Sequence, residues 1–141
     1  MKELDLTTAP PRPPRAEVLG IVFLPRSIDK LRASLPGGSR GVYNLAGFTE
    51  IMLEELGTTS ERVLPLVASA KDDEEIAAAL LRDAPAGAVE KWNAFVLARL
   101  PRGGNRAEAL EAYPWLHERP DLLLAVDILA EDDRRCFAST G

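Results

Sequence analysis

The chain has 141 residues, of which 46% are hydrophobic and 28% are charged, proportions that are typical of one globular domain. Its apolar runs are shorter than the roughly 18 residues of a membrane span, and its first residues lack the pattern of a secretory signal. A single Cys136 and a single His117 exclude a disulfide framework and a structural zinc site. We therefore expect a cytoplasmic protein that contacts no membrane and needs no metal or cofactor.

The net charge of −5 is unevenly distributed along the chain. Residues 1–40 carry seven basic and four acidic side chains, whereas residues 41–141 carry ten and eighteen. An acidic surface repels nucleic acid, so nucleic acid is a poor candidate partner. The basic part contains one dense group of charges over residues 24–33, which is the best candidate for contact with an anion.

Residues 1–15 form a proline-rich arm. Four prolines between positions 10 and 14 remove backbone donors and favour the extended polyproline II conformation. Pro10, Pro13 and Arg15 match the spacing of ligands for SH3 domains, but packing along its own domain is the simpler interpretation. We predict such an arm on a single helical domain of residues 16–141.

The remaining chain is predicted to be helical throughout. The apolar segment 16–24 is too short for periodicity to decide between helix and strand, and we favour a helix. Pro25 suits the start of the next helix, which Pro36 and two glycines end. Apolar spacing, caps and stop signals predict further helices over residues 48–56, 60–70, 72–84, 88–100 and 105–112, before an apolar segment at 122–129. We therefore predict an all-α fold, a compact bundle of about six or seven short helices.

The helix that begins at Pro25 has an apolar face made of Ile28, Leu31 and Leu35. Its charged residues point away from this face or lie at its border: Arg26, Asp29, Lys30 and Arg32. Asp29 lies three residues from both arginines, so local ion pairs would hold the two guanidinium groups. The simplest interpretation is a solvated helix face. The alternative is an anion site, since two arginines and a lysine match carboxylate and phosphate groups.

Four further residues are candidates for the same ligand site. Tyr43 and Asn44 follow the glycine-rich loop 37–41 and would complete a pocket with the charged helix. The loop itself lacks the lysine and the preceding strand of a phosphate loop, so we interpret it as a flexible connection. Trp92 is most simply a core residue, with stacking on a ligand as the alternative. Asn93 is an amide among apolar neighbours and needs hydrogen-bond partners.

The acidic clusters, the cysteine and the histidine form no candidate metal or catalytic site. The acidic clusters 72–75 and 131–133 are interpreted as helix starts rather than metal ligands, because carboxylates complement the helix dipole there. Cys136 and His117 are alone of their types, and no nucleophile motif surrounds either of them. We therefore assign no catalytic residue.

Several short motifs follow one another along the first hundred residues: Asp5-Leu6-Thr7, then Pro11, Pro13, Pro14 and Arg15, Leu24-Pro25-Arg26, Ile28-Asp29-Lys30, Arg32-Ala33, Leu56-Gly57 and Trp92-Asn93. In these motifs the chain resembles the bacterial family called domain of unknown function 5069. The resemblance implies a bacterial origin and a compact, mainly helical domain. It implies no established activity.

From these residues we expect a non-catalytic or accessory domain that binds a small anionic ligand, or an acidic surface of a partner protein, through Arg26, Lys30 and Arg32. The alternative is a small enzyme acting on a phosphorylated or carboxylated metabolite. In that case Asp29 or Lys30 would transfer a proton and would have to face a buried cleft. A homodimer built on the apolar segment 122–129 is a third possibility.

Overall fold

The computed structural model describes residues 1–138. Within them lie seven α-helices and one small antiparallel hairpin, which confirms the all-α prediction. The hairpin strands are β1 (Glu17–Val18) and β2 (Ile21–Val22), and the helices are α1 (Leu24–Ala33), α2 (Phe48–Glu55), α3 (Ser60–Ser69), α4 (Asp73–Asp83), α5 (Ala88–Ala98), α6 (Arg106–Ala112) and α7 (Ala125–Phe137). Short 3₁₀ turns at Pro101–Gly104 and Pro114–Glu118 flank α6. Among residues 1–138, none of these helices is both long and apolar enough to cross a membrane.

The segment before α1 is a hairpin, so the prediction of a helix over residues 16–24 was wrong. Val18 pairs with Ile21, and the two residues between them have positive φ angles, 48° at Leu19 and 80° at Gly20. Two consecutive left-handed residues are the mark of the tight type I′ turn, whose twist matches paired strands. The hairpin is therefore fixed by its turn rather than by a long alternating pattern.

The turn predicts a stabilising substitution at Leu19. This side chain is 51% exposed, so its removal costs little burial, while leucine carries a left-handed penalty of about 1 kcal/mol that asparagine largely avoids. We expect Leu19→Asn to raise the free energy of unfolding by up to about 1 kcal/mol in urea titrations. Gly20→Ala should lower it by a similar amount, although a Cβ there meets nothing within 4 Å. Equal stabilities for the two variants would contradict this account of the turn.

Helix α1 lies in the interior of the protein. Nine of its ten residues are buried, including Arg26, Asp29 and Lys30, and it packs against α3, α4 and β1. The prediction of a solvated charged face was therefore wrong. A buried charge is tolerated only with partners or at a cost in stability, so the partners of α1 decide what this helix does.

The proline-rich arm supplies the partner of Asp29. The backbone NH and the guanidinium of Arg12 both donate to this carboxylate, and the same guanidinium also pairs with Asp73 at the start of α4. The predicted local pairs of Asp29 with the arginines of its own helix are therefore wrong. Arg32 instead donates from Nε to the carbonyl of Lys2 at 2.8 Å.

We expect Arg12→Gln to lower the free energy of unfolding by about 2 kcal/mol, because it leaves the buried Asp29 carboxylate without its cation. Arg15→Gln is the matched control on the same arm, since Arg15 makes an exposed ion pair with Asp127. The decrease in unfolding free energy for Arg15→Gln should stay below about 1 kcal/mol. Chemical denaturation measures both variants, and equal losses would show that the arm does not stabilise α1 through Asp29.

The arm also fixes the loop between α1 and α2. Leu6 donates to the carbonyl of Ser39, and Ser39 donates to the carbonyl of Leu4. A Cβ at Gly38 would lie 2.7 Å from the carbonyl oxygen of Ala33, so glycine is required there for space. The glycine-rich loop is thus held by the arm rather than being a free connection, and it positions the residues that follow it.

Candidate anion-binding cleft

A cleft of about 700 Å³ opens beside α1. Its walls come from α1, the loop before α2, the 3₁₀ turn after α5, and α7. The polar residues at its base are Arg26, Lys30, Tyr43 and Asp133, and two exposed arginines, Arg99 and Arg102, lie at its edge. The cleft therefore brings together residues that are far apart in the sequence.

Arg26 and Asp133 form a buried ion pair at the base of this cleft. Arg26 is 1% exposed and Asp133 is 7% exposed, and Nη1 of the arginine lies 2.6 Å from Oδ2 of the carboxylate. The hydroxyl of Tyr43 donates to the other carboxylate oxygen at 2.6 Å. Such a pair offsets the cost of desolvation only when further hydrogen bonds complete it, and Tyr43 provides one of them.

Tyr43 stays a neutral phenol in this arrangement. Burial, followed by its hydrogen bond to Asp133, raises the pKa of Tyr43 well above the ordinary value. Its ring also lies 5.5 Å from the guanidinium carbon of Arg26. Tyr43 therefore holds the Arg26–Asp133 pair in place and is a poor base.

Lys30 is the nearly buried cation of this cleft that lacks an anion among residues 1–138. The residue is 9% exposed, and its ammonium makes no ion pair or hydrogen bond with any side chain or backbone group of residues 1–138. It lies over two aromatic rings, 5.7 Å from the centroid of Phe23 and 5.9 Å from that of Tyr43. Burial and the nearby charge of Arg26 lower the pKa of Lys30 to about 8, while Asp133 acts in the opposite direction.

The residue before α1, whose ring lies beneath Lys30, has a strained backbone conformation. Phe23, the residue before α1, has a φ of 75°, which is unfavourable for a bulky side chain. Its ring is nevertheless almost fully buried, and it packs edge-on against Phe48 and Trp92. The strained backbone therefore places an aromatic face beneath Lys30.

The rim of the cleft combines charges of both signs, from Arg99, Arg102 and Glu108, with exposed apolar surface. Val42 is 83% exposed, and the side chains of Ile51 and Leu100 are also exposed large hydrophobic groups on this rim. Arg99 lies over the ring of Phe95, with its guanidinium carbon 5.4 Å from the centroid. The site therefore presents a recessed ammonium below a partly apolar opening.

The eight residues predicted to contact a ligand fall into separate groups. Arg26, Lys30, Tyr43 and Asn44 line the cleft. Asp29 and Arg32 do not, because they lie in a smaller groove beside the arm. Of the two residues named for proton transfer in the enzyme alternative, Lys30 thus lines this cleft and Asp29 does not.

Trp92 and Asn93 lie away from the cleft and fix the hairpin. Trp92 donates from its indole Nε1 to the carbonyl of Val22 at 2.8 Å. Asn93 accepts from the backbone NH of Val22 and donates to the carbonyl of Gly20. Both side chains therefore find their partners in the fold, which is the simpler of the roles considered for Trp92.

Asp133 is the site residue that sequence reasoning missed. The cluster 131–133 was interpreted as a helix start, but it lies inside α7, whose first residue is Ala125. Asp133 follows Val126 by seven positions and Leu129 by four, which places the acid on the apolar side of α7. An acidic residue on the apolar side of a helix was the signal in the sequence that could have identified Asp133 as a site residue.

The comparison with known families agrees with the earlier resemblance. The model of a family described as Domain of unknown function (DUF5069) matches residues 8–135. The chain belongs to this family. The range matched to DUF5069 includes all four residues at the base of the cleft, and it extends beyond Asn93, the end of the motifs that first indicated the family. No curated protein matches the chain.

Proposed function

We propose that this DUF5069 protein binds a small anionic ligand in the cleft, a carboxylate or phosphate carried on an apolar body. The observation that supports this most strongly is Lys30, a nearly buried lysine whose ammonium has no counter-ion among residues 1–138. Buried charges are normally paired, and an unpaired one is costly to maintain. An anion entering the cleft would supply the missing partner.

Lys30, rather than Arg26, is the proposed anion donor. Arg26 already pairs with Asp133, and its exposed fraction of 1% leaves little surface for a ligand. The exposed Arg99 and Arg102 add positive charge that attracts an anion, and the carboxylates of Glu108 and Asp132, which also line the cleft, offset part of it. Because Lys30 is only 9% exposed, its attraction to an anion is stronger than that of a lysine on the protein surface.

The apolar rim favours a ligand with a hydrophobic body. Val42, Ile51 and Leu100 together provide exposed apolar surface above the ammonium, and its coverage would add affinity in proportion to the area buried. A flat acidic surface of a partner protein fits less well, since Lys30 is recessed. The small-molecule ligand is therefore preferred.

The test is a thermal-shift series with phenylacetate, phenyl phosphate, neutral phenylacetamide and inorganic phosphate. We expect the two aromatic anions to raise the melting temperature by several degrees at saturation, with little effect from the amide. The shift should be lost in Lys30→Met and retained in Lys91→Met, whose lysine is exposed and pairs with Glu55. Equal shifts in both variants, or no shift with either anion, would refute the proposal.

A further inference from the structure

We infer that Lys30 acts as a nucleophilic amine and forms an imine with an α-oxo acid bound in the cleft. The inference rests on the proposed function, because the carboxylate of such an acid is the anion that the site attracts. An α-oxo acid has its reactive carbonyl next to its carboxylate. The ammonium attracts the carboxylate, and the same nitrogen, after it loses a proton to solvent, lies within reach of the neighbouring carbonyl.

The surroundings of Lys30 favour attack by its neutral amine. With a pKa near 8, roughly one amine in ten is unprotonated at pH 7, against fewer than about one in a thousand for an ordinary lysine. Imine-forming lysines are activated in this way, by desolvation or by another cation nearby. The described groups that face it are Arg26 from α1, Tyr43 from the loop and Asp133 from α7.

Among residues 1–138 no carboxylate forms an ion pair with Lys30, which leaves the amine available. Asp133 is the nearby acid, and its two oxygens are occupied by Arg26 and Tyr43. A protonated imine carries the same single positive charge as the ammonium that it replaces. Asp133 therefore attracts the protonated imine as it attracts the ammonium, so holding the intermediate requires no rearrangement of the site.

The reaction is balanced without an oxidant or a reductant. The nitrogen lone pair of Lys30 forms a bond to the carbonyl carbon while the carbon–oxygen π bond opens, giving a carbinolamine. The C–O bond then breaks as the carbon–nitrogen double bond forms. Both amine hydrogens leave with the carbonyl oxygen as one molecule of water, and a proton from solvent completes the protonated imine.

The test traps this intermediate with sodium cyanoborohydride, whose hydride converts the imine into a stable secondary amine. The whole protein is incubated with phenylpyruvate or pyruvate, and peptide mass spectrometry locates the adduct. The chain provides an internal control, because its other lysines, Lys2, Lys71 and Lys91, are exposed. We expect the adduct at Lys30 before any of these, with faster trapping at pH 8 than at pH 7 and with the apolar phenylpyruvate favoured.

The variant Lys30→Arg separates this inference from the proposed function, since arginine keeps the charge but forms no imine. It should still bind phenylpyruvate in isothermal titration calorimetry and yield no adduct at position 30. Saturable binding to the wild-type protein that Lys30→Met abolishes, without any trapped adduct, would overturn the imine and leave anion binding intact. An adduct spread evenly over the four lysines would also overturn it. If the wild-type protein shows neither binding nor an adduct, both the imine and the proposed function are overturned.

Discussion

Replacing Asp133 by leucine is expected to lower the free energy of unfolding by about 3–5 kcal/mol, because it leaves Arg26 as a buried cation without a counter-ion. Arg26 is 1% exposed, so water cannot replace the lost carboxylate. Its Nε has no hydrogen-bond partner among residues 1–138, which makes the remaining bonds of the guanidinium more important. Urea denaturation of the purified variant measures the loss.

The double variant with Arg26→Met and Asp133→Leu should recover most of that loss, since a buried ion pair can often be replaced by apolar side chains at little cost. Asp121→Leu is the matched control, because it removes an acid from an exposed pair with Arg119 and should have a much smaller effect. A double variant as unstable as Asp133→Leu alone would show that the fold depends on Asp133 for more than neutralising Arg26.

Replacing Lys30 by methionine is expected to stabilise the protein at neutral pH. The change in unfolding free energy that the substitution causes should be more favourable at neutral pH than at pH 10.5, by up to about 3 kcal/mol. The reason is the lowering of the pKa of Lys30 from the ordinary 10.5 to about 8, caused first by burial and then by Arg26. That lowering measures how strongly the folded protein disfavours the charged amine. Methionine fills similar space without the charge.

The dependence on pH follows from the protons bound in each state. Below pH 8 the lysine is charged in the folded and unfolded chains alike, so the full penalty is present. Between pH 8 and 10.5 the unfolded chain holds a proton that the folded chain has lost, and the stability of the wild-type protein rises relative to Lys30→Met. Above this range both forms are neutral and the penalty is gone.

The measurement is the difference in unfolding free energy between the wild-type protein and Lys30→Met, taken at several values from pH 7 to pH 10. Lys91→Met serves as the control, and its difference should change little over the same range. A constant difference for Lys30→Met would mean that the ammonium is not destabilised by its surroundings. A variant that gains stability and loses ligand binding would instead identify Lys30 as a residue maintained for function.

The positions of most helices follow from local chemistry. Asp72 accepts from the backbone NH of Glu75 at the start of α4, and Asn105 accepts from that of Glu108 at the start of α6. These caps act over three residues, so a single sequence contains all that is needed to recognise them. The hairpin is the exception, since two strands of two residues carry too few positions for an alternating pattern.

The composition of α1 was evident from the sequence, but the environment of its charges was not. Arg26, Asp29 and Lys30 are interspersed with apolar residues, and the same pattern suits a solvated face or a buried polar helix. The choice depends on partners elsewhere: Arg12 for Asp29, and Asp133, which lies 107 positions from Arg26. No local rule of spacing reaches across that distance.

The sequence by itself determined the family, the helical class and the presence of cationic groups suited to an anion, because these depend on composition, periodicity and short motifs. Only the tertiary structure decided which cation is available. Arg26 is neutralised by Asp133 and Arg32 turns to the arm, whereas Lys30 is buried beside a cleft with no counter-ion among residues 1–138. Burial and pairing are properties of the packed chain, and they make one of three similar charges the candidate for binding and chemistry.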